Sequence, residues 1–458
     1  MPQLIAQKLA DFSSRLDSRD IPDEVFEKAK SGVLDTVGLC MAASRLDFGI
    51  AVSRLVHKWS GTPEATTIGS SPKVPGQSAA FCNGVLAHGQ DYDETHTESV
   101  VHSSAALVPA ALAVAESLGA SGADMLTALI AGAEAAIRIA LPAKNKFHQR
   151  GFHTTSVATT FGSALIACKL YRMSSQQTAA ALGTCGSVLS GLVECVPAGA
   201  NAKRLHAGWA AHAGIVAAQF AREGFEGPAS IFDGKYGLYN SMLSGESLDL
   251  NSVVEGLGKH WELLDTRPKL YPCCHMLQAY IDCADALRRE PGVSPDNIEK
   301  ISCRASQGAA NIVCEPWANK QNPVNSYSAR FSLPFAVAVM LVTGKAGDDE
   351  FSEDVVADPA IRNLMNKTSY QIEPKYQVKD MSGWVEIQTR SGATYRHEIP
   401  VLHGDRTHPI PADALMQKFR TNAKALPAES VSEIAAAVQR LEKMADVGAL
   451  MAKLGRAA

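Results

Sequence analysis

Four short stretches of this chain place imidazole, carboxylate and ammonium side chains among small or apolar residues. In chain order they span residues 88–104, 151–156, 201–208 and 269–275. Histidine exchanges protons near neutral pH, and burial can bring a lysine into the same range. If the fold brings the four stretches together, they form a site that transfers protons and holds negatively charged substrates.

The first stretch is the richest in titratable groups. Residues 88–96 contain two imidazoles and three carboxylates, and His102 follows. Helix capping needs only one such residue, so their number favours a functional site over a cap. The acidic run at 91–95 also resembles carboxylate sites for magnesium, so a metal-dependent lyase stays open as an alternative. A non-catalytic interaction protein is a further alternative, although a scaffold has no need of so many titratable groups.

The second and third stretches supply candidate acids and bases. His153 lies where a helix is expected to begin, and a helix amino end lowers the basicity of an imidazole and attracts carboxylates. Lys203 and His206 are three residues apart, so they are expected to share a helix face. Partial burial near a helix amino end should lower the pKa of Lys203 and make it a usable acid or base. The other interpretation is an exposed Lys203–Arg204 pair on a surface turn.

The elements around these stretches are mostly helices. Apolar residues recur at helical spacing after Pro22-Asp23, and further helices are predicted at 104–118, 122–140, 153–171, 175–193 and 204–223. Alanine and glycine dominate the faces of several of them. Because small side chains let helix axes approach closely, we expect one tight central bundle.

The pattern changes near Arg267. Residues 298–304 alternate as in a strand, and 384–389 with 393–399 read as a hairpin. Helices are predicted at 328–343, 352–366, 412–424 and 429–442. The predicted fold is therefore mainly α, with a large helical-bundle domain at 1–265, completed by 401–458, and a smaller inserted α+β lid domain at 266–400. The fourth stretch, which ends at His275, lies at this junction, a favoured place for small-molecule sites.

The composition excludes several classes of protein. A hydrophobic fraction of 46% over 458 residues allows a well-packed globular protein of two domains. A net charge of -4 argues against a dedicated nucleic-acid partner. The alanine-rich region at 105–139 is interrupted by Pro109 and by charged residues, so we expect buried helices and no membrane span.

Cofactor motifs and cysteine pairs are also lacking in the sequence. No GxGxxG or P-loop pattern occurs, so neither a dinucleotide nor a nucleoside triphosphate is expected. The ten cysteines form no CxxC pair, which is typical of reduced thiols in a cytoplasmic protein.

Taken in order, the four stretches resemble the MmgE/PrpD family, which includes 2-methylcitrate dehydratase, cis-aconitate decarboxylase and iminodisuccinate epimerase. The resemblance covers nearly the whole chain. It also rests on Leu34-Asp35-Thr36-Val37-Gly38, Asn83-Gly84, the K-x-L-H-x-G-x-A-A run from Lys203, Lys-x-Tyr-Pro at 269–272 and Gly404 to Pro409. It implies a pocket between two domains, a homodimer, a small di- or tricarboxylic acid as substrate, and neither cofactor nor metal.

The resemblance also implies the site residues. The family's positions fall on Asp91, Thr95, His102, His153, Lys203 and His275. We assign proton transfer to His153 and Lys203, with His102 as a further catalytic group and Asp91 to orient an imidazole. Substrate binding is assigned to Thr95, His275, His206 and Arg204.

Two departures from the family pattern bear on the reaction. Decarboxylases of the family carry tyrosine in a Ser-x-x-Tyr position that matches Ser332 to Phe335 here, so a phenolic donor is expected to be absent. Methylcitrate dehydratases carry His-Pro-Ser-Asp-Asn where this chain has His102-Ser103-Ser104-Ala105-Ala106. We therefore expect proton abstraction next to a carboxylate, leading to epimerisation or β-elimination, with the dehydratase and decarboxylase reactions as alternatives.

Overall fold

The computed structural model describes residues 4–411 and 413–455. Helix accounts for 57% of the chain, and the strands form small sheets, so the predicted mainly α fold is confirmed. The helices before residue 245 are α1 (Ile5–Arg15), α2 (Asp23–Ala43), α3 (Asp47–Val56), α4 (Gly76–His88), α5 (Ser103–Leu118), α6 (Gly122–Ala140), α7 (Lys146–Gln149), α8 (Thr154–Leu170), α9 (Ser175–Cys185), α10 (Leu205–Arg222) and α11 (Leu238–Met242).

Glycines bring the long helices into backbone contact. A Cβ added at Gly84 on α4 would lie 2.6 Å from the Cα of Gly208 on α10. A Cβ at Gly132 on α6 would lie 2.7 Å from the carbonyl oxygen of Gly162 on α8. Such distances leave no room for a side chain, so the small residues permit the close packing that the sequence predicted.

The remaining elements include both sheets. The strands are β1 (Thr95–His96), β2 (Thr266–Arg267), β3 (Ile298–Ala305), β4 (Thr368–Ile372), β5 (Gly383–Thr389) and β6 (Thr394–Ile399). The helices are α12 (Gln278–Leu287), α13 (Gln307–Val313), α14 (Trp317–Gln321), α15 (Ser326–Ala329), α16 (Leu333–Thr343), α17 (Glu353–Val356), α18 (Pro359–Asn366), α19 (Ala414–Asn422), α20 (Ala428–Gln439) and α21 (Gly448–Gly455).

The larger sheet has the strand order β4-β3-β5-β6. Strand β3 is parallel to β4, with Ile301 opposite Thr368, and antiparallel to β5, with Ile301 opposite Ile387. Helix α12 covers this sheet closely, because a Cβ added at Gly383 would lie 2.7 Å from the backbone of Ala279. The hairpin of β5 and β6 forms as predicted.

Three predicted helices differ from the structure. The helix expected at 175–193 ends at Cys185, because the chain then turns so that the carbonyl of Gly191, at φ +114°, accepts the backbone N–H of His153. The helix expected at 328–343 is two helices, α15 and α16, since Ser332 caps a new start at which Pro334 fits the first turn. The helix expected at 352–366 is likewise split, with Asp358 capping α18.

The buried apolar residues form two separate cores. The first core contains residues between 5 and 263 and between 419 and 454, and the second core contains residues between 273 and 402. Strands β1 and β2 pair at the junction, where Thr95 lies opposite Arg267. The domain boundaries at 265–266 and 400–401 stay a prediction, and the residue ranges of the two cores are compatible with them.

One helical segment, Gly122–Ala143, is long and apolar enough to cross a membrane by length and composition alone. Within the protein, 89% of its most apolar window is buried. Buried helices of a protein core pass the same test, so the segment is no evidence for a membrane.

Candidate active site

The predicted site residues meet where the two cores adjoin. His102 is the N-cap residue of α5, and His153 is the N-cap residue of α8. His275 begins a short 3-10 turn, His275–Leu277, that leads into α12. Helix amino ends carry partial positive charge. Three of the site's imidazoles therefore lie at helix ends that favour anions.

The loop after α4 is held by its backbone. His88 is the last residue of α4, and Asp91 adopts a left-handed conformation with φ +52°. Four successive carbonyls of this loop each accept a hydrogen bond from a different cationic side chain. The pairs are Gly89 with Arg204 at 2.8 Å, Gln90 with Arg330 at 3.0 Å, Asp91 with Lys269 at 2.7 Å, and Tyr92 with Lys418 at 2.8 Å. Cations from both cores thus fix the conformation of the loop.

The carboxylate of Asp91 holds two lysines. Lys203 Nζ lies 2.6 Å from Asp91 Oδ1, and Lys269 Nζ lies 3.4 Å from the same oxygen, with all three side chains buried. Burial alone would raise the pKa of Asp91, but Lys203 and Lys269 lower it well below its ordinary value. Burial alone would lower the pKa of Lys203, yet Asp91 raises it above its ordinary value. The predicted lowering of the Lys203 pKa is therefore wrong, because its partner is a carboxylate, and Lys203 is an ammonium group at pH 7.

A different carboxylate orients an imidazole. Asp93 Oδ2 lies 2.7 Å from His88 Nδ1 and 3.6 Å from His102 Nδ1. Burial alone would raise the pKa of Asp93, but His88, His102 and Lys269 hold it below its ordinary value. Asp93, and not the predicted Asp91, has this role in the structure. His88, Asp93 and Lys269 were not assigned to the site, although all three lie within the four stretches.

The imidazoles form a cluster. The ring of His153 lies 5.4 Å from His88, 6.2 Å from His102 and 5.0 Å from His206, measured between centroids. Burial lowers the pKa of His153 well below its ordinary value, that of His102 to about 3 and that of His206 to about 4. These three rings are therefore neutral at pH 7, and each can both donate and accept a hydrogen bond.

The ring of His153 is held on one side only. Its Nδ1 lies 3.1 Å from His206 Nδ1, so one of the two nitrogens donates to the other. Its Nε2 is buried and has no partner among the described residues. His206 is thus brought to the site through its contact with His153. It does not share a helix face with Lys203, because Lys203 lies in the 3-10 turn Asn201–Arg204 before α10.

His102 and Thr95 are neighbours. Thr95 Oγ1 lies 3.0 Å from His102 Nδ1, which is also 2.8 Å from the carbonyl oxygen of Glu94. The Glu94 carboxylate accepts the hydroxyls of Ser103 and Ser104 at 2.6 Å. The two serines therefore support the start of α5 through Glu94, while His102 takes the N-cap position.

His275 and Arg204, the last two predicted residues, differ in whether they have partners within the protein. His275 is 3% exposed, and neither ring nitrogen has a partner among the described residues. Burial, with the charge of Lys269, lowers the pKa of His275 well below its ordinary value. Arg204 instead lies between the rings of Phe48 and Tyr327, at 4.2 and 4.6 Å from their centroids. This stacking and the bond to Gly89 engage Arg204 within the protein, and its assignment to substrate binding stays a prediction.

A phenol lies next to the lysine pair. Phe335 packs against Phe351 at 5.3 Å in the second core, as expected for an apolar residue. Tyr327 is also buried, however, and burial raises its pKa while Lys203 opposes that rise. The phenol expected to be absent at position 335 is absent. Tyr327, eight residues earlier, is a buried phenol that the comparison at position 335 did not consider.

The donor set is a poor fit to a metal ion. Ligand atoms of His88, Asp91 and Asp93 lie within 4.8 Å of one another. However, Lys203 and Lys269 already neutralise Asp91, and Lys269 lies 3.9 Å from Asp93 Oδ1. A divalent cation at this position would be repelled by two ammonium groups. The geometry therefore disfavours the alternative of a metal-dependent lyase.

A separate cleft of about 860 Å³ opens beside β1 and β2. Its lining includes His96, Arg267 and Asp405, but none of the eight residues that the sequence assigned to the site. The imidazole cluster is thus more deeply enclosed than this cleft.

Comparison with known proteins agrees with this arrangement. The MmgE/PrpD N-terminal domain matches residues 7–251, and the MmgE/PrpD C-terminal domain matches residues 271–443. The chain belongs to the MmgE/PrpD family. The resemblance seen in the sequence is thereby confirmed, and the junction between the two family domains at 251–271 lies close to β2.

Relatives within the MmgE/PrpD family match over almost their whole length. The chain is 26% identical to cis-aconitate decarboxylase of Aspergillus terreus over 98% of its own length and 95% of that protein. It is 28% identical to cis-aconitate decarboxylase of Homo sapiens over 98% and 94% of the two chains, and 26% identical to that of Mus musculus over 98% and 93%. These relatives are lyases, which fits the predicted lyase alternative and leaves the epimerase prediction unconfirmed.

Proposed function

We propose that this enzyme generates and protonates a carbanion next to a carboxylate of a small di- or tricarboxylic acid, without an organic cofactor or metal. One observation carries the proposal. Buried nitrogens of His88, His153 and His275 lack partners among the described residues. His88 has a nitrogen within 4.8 Å of an Asp91 carboxylate oxygen, and the charges of Lys203 and Lys269 act on His153 and His275. An unpaired buried polar atom is costly, so a ligand rich in oxygen atoms would stabilise this arrangement.

The substrate's carboxylates bind to imidazole N–H groups and to the amino ends of α5 and α8. The lysines alone are not enough, because Asp91 and Asp93 balance their charge. Helix amino ends and neutral donors add attraction for anions without a further net charge. The acid is therefore held with its reacting carbon near His153 and Lys203.

Neutral His153 takes or returns a proton, and the Lys203 ammonium stabilises the negative charge that develops on the substrate. Because the His153–His206 pair can exchange donor and acceptor roles, Nε2 of His153 can present either a lone pair or a proton. The residues thus support proton transfer in both directions at carbon.

Loss of carbon dioxide from a cis-aconitate-like acid is the first reaction to test. Relatives with that activity match this chain over nearly their whole length. When the carbon–carbon bond breaks, carbon dioxide leaves, the electron pair stays on carbon and spreads into the neighbouring unsaturated acid, and a proton completes the product. The second candidate is epimerisation or β-elimination without loss of carbon dioxide, which the apolar Phe335 favours.

The test is incubation in D₂O with cis-aconitate, 2-methylcitrate and iminodisuccinate, followed by proton NMR and a headspace carbon dioxide assay. A deuterated five-carbon acid with stoichiometric carbon dioxide supports decarboxylation. Deuterium exchange with inversion, or a new olefin, supports the second candidate. Neither carbon dioxide nor exchange with any acid would contradict the proposal. Dialysis against EDTA should leave the activity unchanged, and its loss would favour the metal-dependent alternative.

A further inference from the structure

We infer that Tyr327, rather than His153, is the proton donor that completes the reaction, delivering its phenolic proton to the substrate carbanion. This inference rests on the proposed function, because it requires a carbanion in the site. Tyr327 lies in α15, whose start is fixed by a capping box between Asn325 and Ser328. The helix is short, so the backbone position of Tyr327 depends on this cap and on the packing of its ring.

Tyr327 differs from every other buried tyrosine among the described residues. Four of them donate their hydroxyl to an oxygen of the protein: Tyr92 to Leu270, Tyr239 to Ile139, Tyr280 to Arg304 and Tyr376 to Glu398, at 2.7–2.8 Å. The hydroxyl of Tyr327 is equally buried and has no such partner. A tyrosine needed only for packing could be phenylalanine, as at position 335, so the unpaired hydroxyl indicates a bond to a ligand.

Two cationic residues already described at the site lie near Tyr327. Lys203 Nζ lies 5.3 Å from the ring centroid of Phe331, and the Phe331 ring lies 5.7 Å from that of Tyr327. The Arg204 guanidinium lies 4.6 Å from the ring centroid of Tyr327. Burial raises the pKa of Tyr327, whereas the charges of Lys203 and Arg204 oppose that rise, so both cations stabilise a phenolate.

A small cavity adjoins this corner. Tyr327 and Phe331 line it together with Lys320 and the 196–199 segment, and its volume is about 200 Å³. This is below the range of about 300–1,000 Å³ for drug-sized ligands and is suited to a small acid. Tyr327 therefore lies in the wall between this cavity and the protein interior, and contact of a substrate with its buried hydroxyl requires a local opening of that wall.

The step balances with one proton taken from solvent. The carbanion's electron pair forms a carbon–hydrogen bond as the oxygen–hydrogen bond of Tyr327 breaks, and the negative charge moves to the phenolate oxygen. Lys203 stabilises this phenolate, and a proton from water restores the phenol. A phenol, with an ordinary pKa of about 10, is a much stronger acid than the carbon that receives the proton, so the transfer is downhill.

The test compares Tyr327→Phe with Tyr239→Phe. Tyr327→Phe should lower kcat by about 10²–10⁴-fold with little change in KM, because the ring and its stacking remain. Its melting temperature should equal or exceed that of the wild type, since an unpaired buried hydroxyl is removed. Tyr239→Phe should do the opposite, losing stability through a lost hydrogen bond in the first core while kcat stays within about threefold.

The outcomes separate the inference from the proposed function. If the wild type forms carbanion products and Tyr327→Phe retains kcat within about threefold, the proton donor is another group and only the inference fails. A fall in melting temperature in parallel with kcat would show that Tyr327 is structural, and would also overturn it. If the wild type itself gives no product or exchange, the proposed function fails and takes the inference with it.

Discussion

The two cores contribute to the site in different ways. The first core packs helices through glycine and alanine, and it supplies the clustered imidazoles His88, His102, His153 and His206. The second core packs larger side chains such as Phe335 around a sheet. Arg330 from this core and Lys269 just before it donate to the loop after α4, and His275 adds one further imidazole at the start of its 3-10 turn. The closely packed helix ends of the first core hold the imidazoles in fixed positions. Lysine and arginine side chains are long enough to cross from one core to the other.

The two cores differ in the substitutions that they tolerate. Where backbones touch, as at Gly84 and Gly208, no atom can be added. Where large rings interlock, as at Phe335 and Phe351, none can be removed without a cavity.

The largest effect is expected at the boundary, from Lys203→Ala. Turnover should fall by about 10²–10⁴-fold, because the variant removes the ammonium group that stabilises the developing charge. The exposed Lys235→Ala is the matched control and should behave as the wild type. Steady-state kinetics on the true substrate and circular dichroism measure both properties. Activity within about threefold of the wild type, in a folded Lys203→Ala variant, would exclude Lys203 from the chemistry.

Removal of atoms should damage the second core most. Phe335→Ala is expected to cost about 3–5 kcal/mol of the free energy of unfolding, because it leaves a cavity against Phe351 in a fully buried environment. Phe335→Leu should cost less, since it leaves a smaller cavity. Urea denaturation measures both. Equal stability of Phe335→Ala and the wild type would mean that this core does not depend on its large residues.

Addition of one methyl group should damage the first core. Gly84→Ala is expected to cost about 1–3 kcal/mol, because the new Cβ would lie 2.6 Å from the backbone of α10 and must push α4 away. Gly76→Ala, at the start of the same helix, meets nothing closer than 3.6 Å and should be neutral. Displacement of α4 moves His88, so activity should fall with stability in Gly84→Ala only. Similar denaturation curves for the two variants would contradict close packing of α4 on α10.

The smallest effect concerns pH. Burial lowers the pKa of His102 to about 3 and that of His206 to about 4. It also lowers to about 4 the pKa of His148, whose ring lies 5.5 Å from that of His153. In the unfolded chain their pKa is about 6.5, so the unfolded state binds more protons between pH 4 and 6.5. The contribution of these residues to stability is fully present above pH 6.5 and is lost as the pH falls toward 4.

Denaturation at pH 7, 6 and 5 measures this loss. His206→Gln should reduce the difference between pH 7 and pH 5, because one titrating ring has been removed while the carboxylates remain. An unchanged difference in this variant would show that His206 is already protonated in the folded protein.

Local patterns predicted much of the fold. Helical spacing gave α5, α6, α8 and α10 within a residue or two of their observed ends, and alternation gave the β5–β6 hairpin. Helices α1, α3, α4 and α12 and strand β4 were not predicted. Helix α1 does carry a helical pattern, with Ile5 and Leu9 buried on one face, whereas β4 is short and mostly exposed and so has a weak strand signal. The split between α15 and α16 was also missed. Ser332 followed by Pro334 is a helix-start signal, but the apolar run at 333–342 dominated the pattern.

The sequence by itself determined which stretches carry titratable groups, and through the family it determined what chemistry to expect of them. Only the tertiary structure decided which groups pair. Lys203 and Asp91 are 112 residues apart, and Arg330 and Gln90 are 240 apart, so no local spacing could join them. Asp91 and Asp93 are two residues apart, yet the left-handed turn at Asp91 directs one carboxylate to the lysines and the other to His88. A pKa depends on burial and on the nearest charge, and both are properties of the folded protein. For this reason the sequence could not predict that Lys203 is protonated or that the imidazoles are neutral. Nor could it predict that the phenol of Tyr327 is buried without a partner among the described residues.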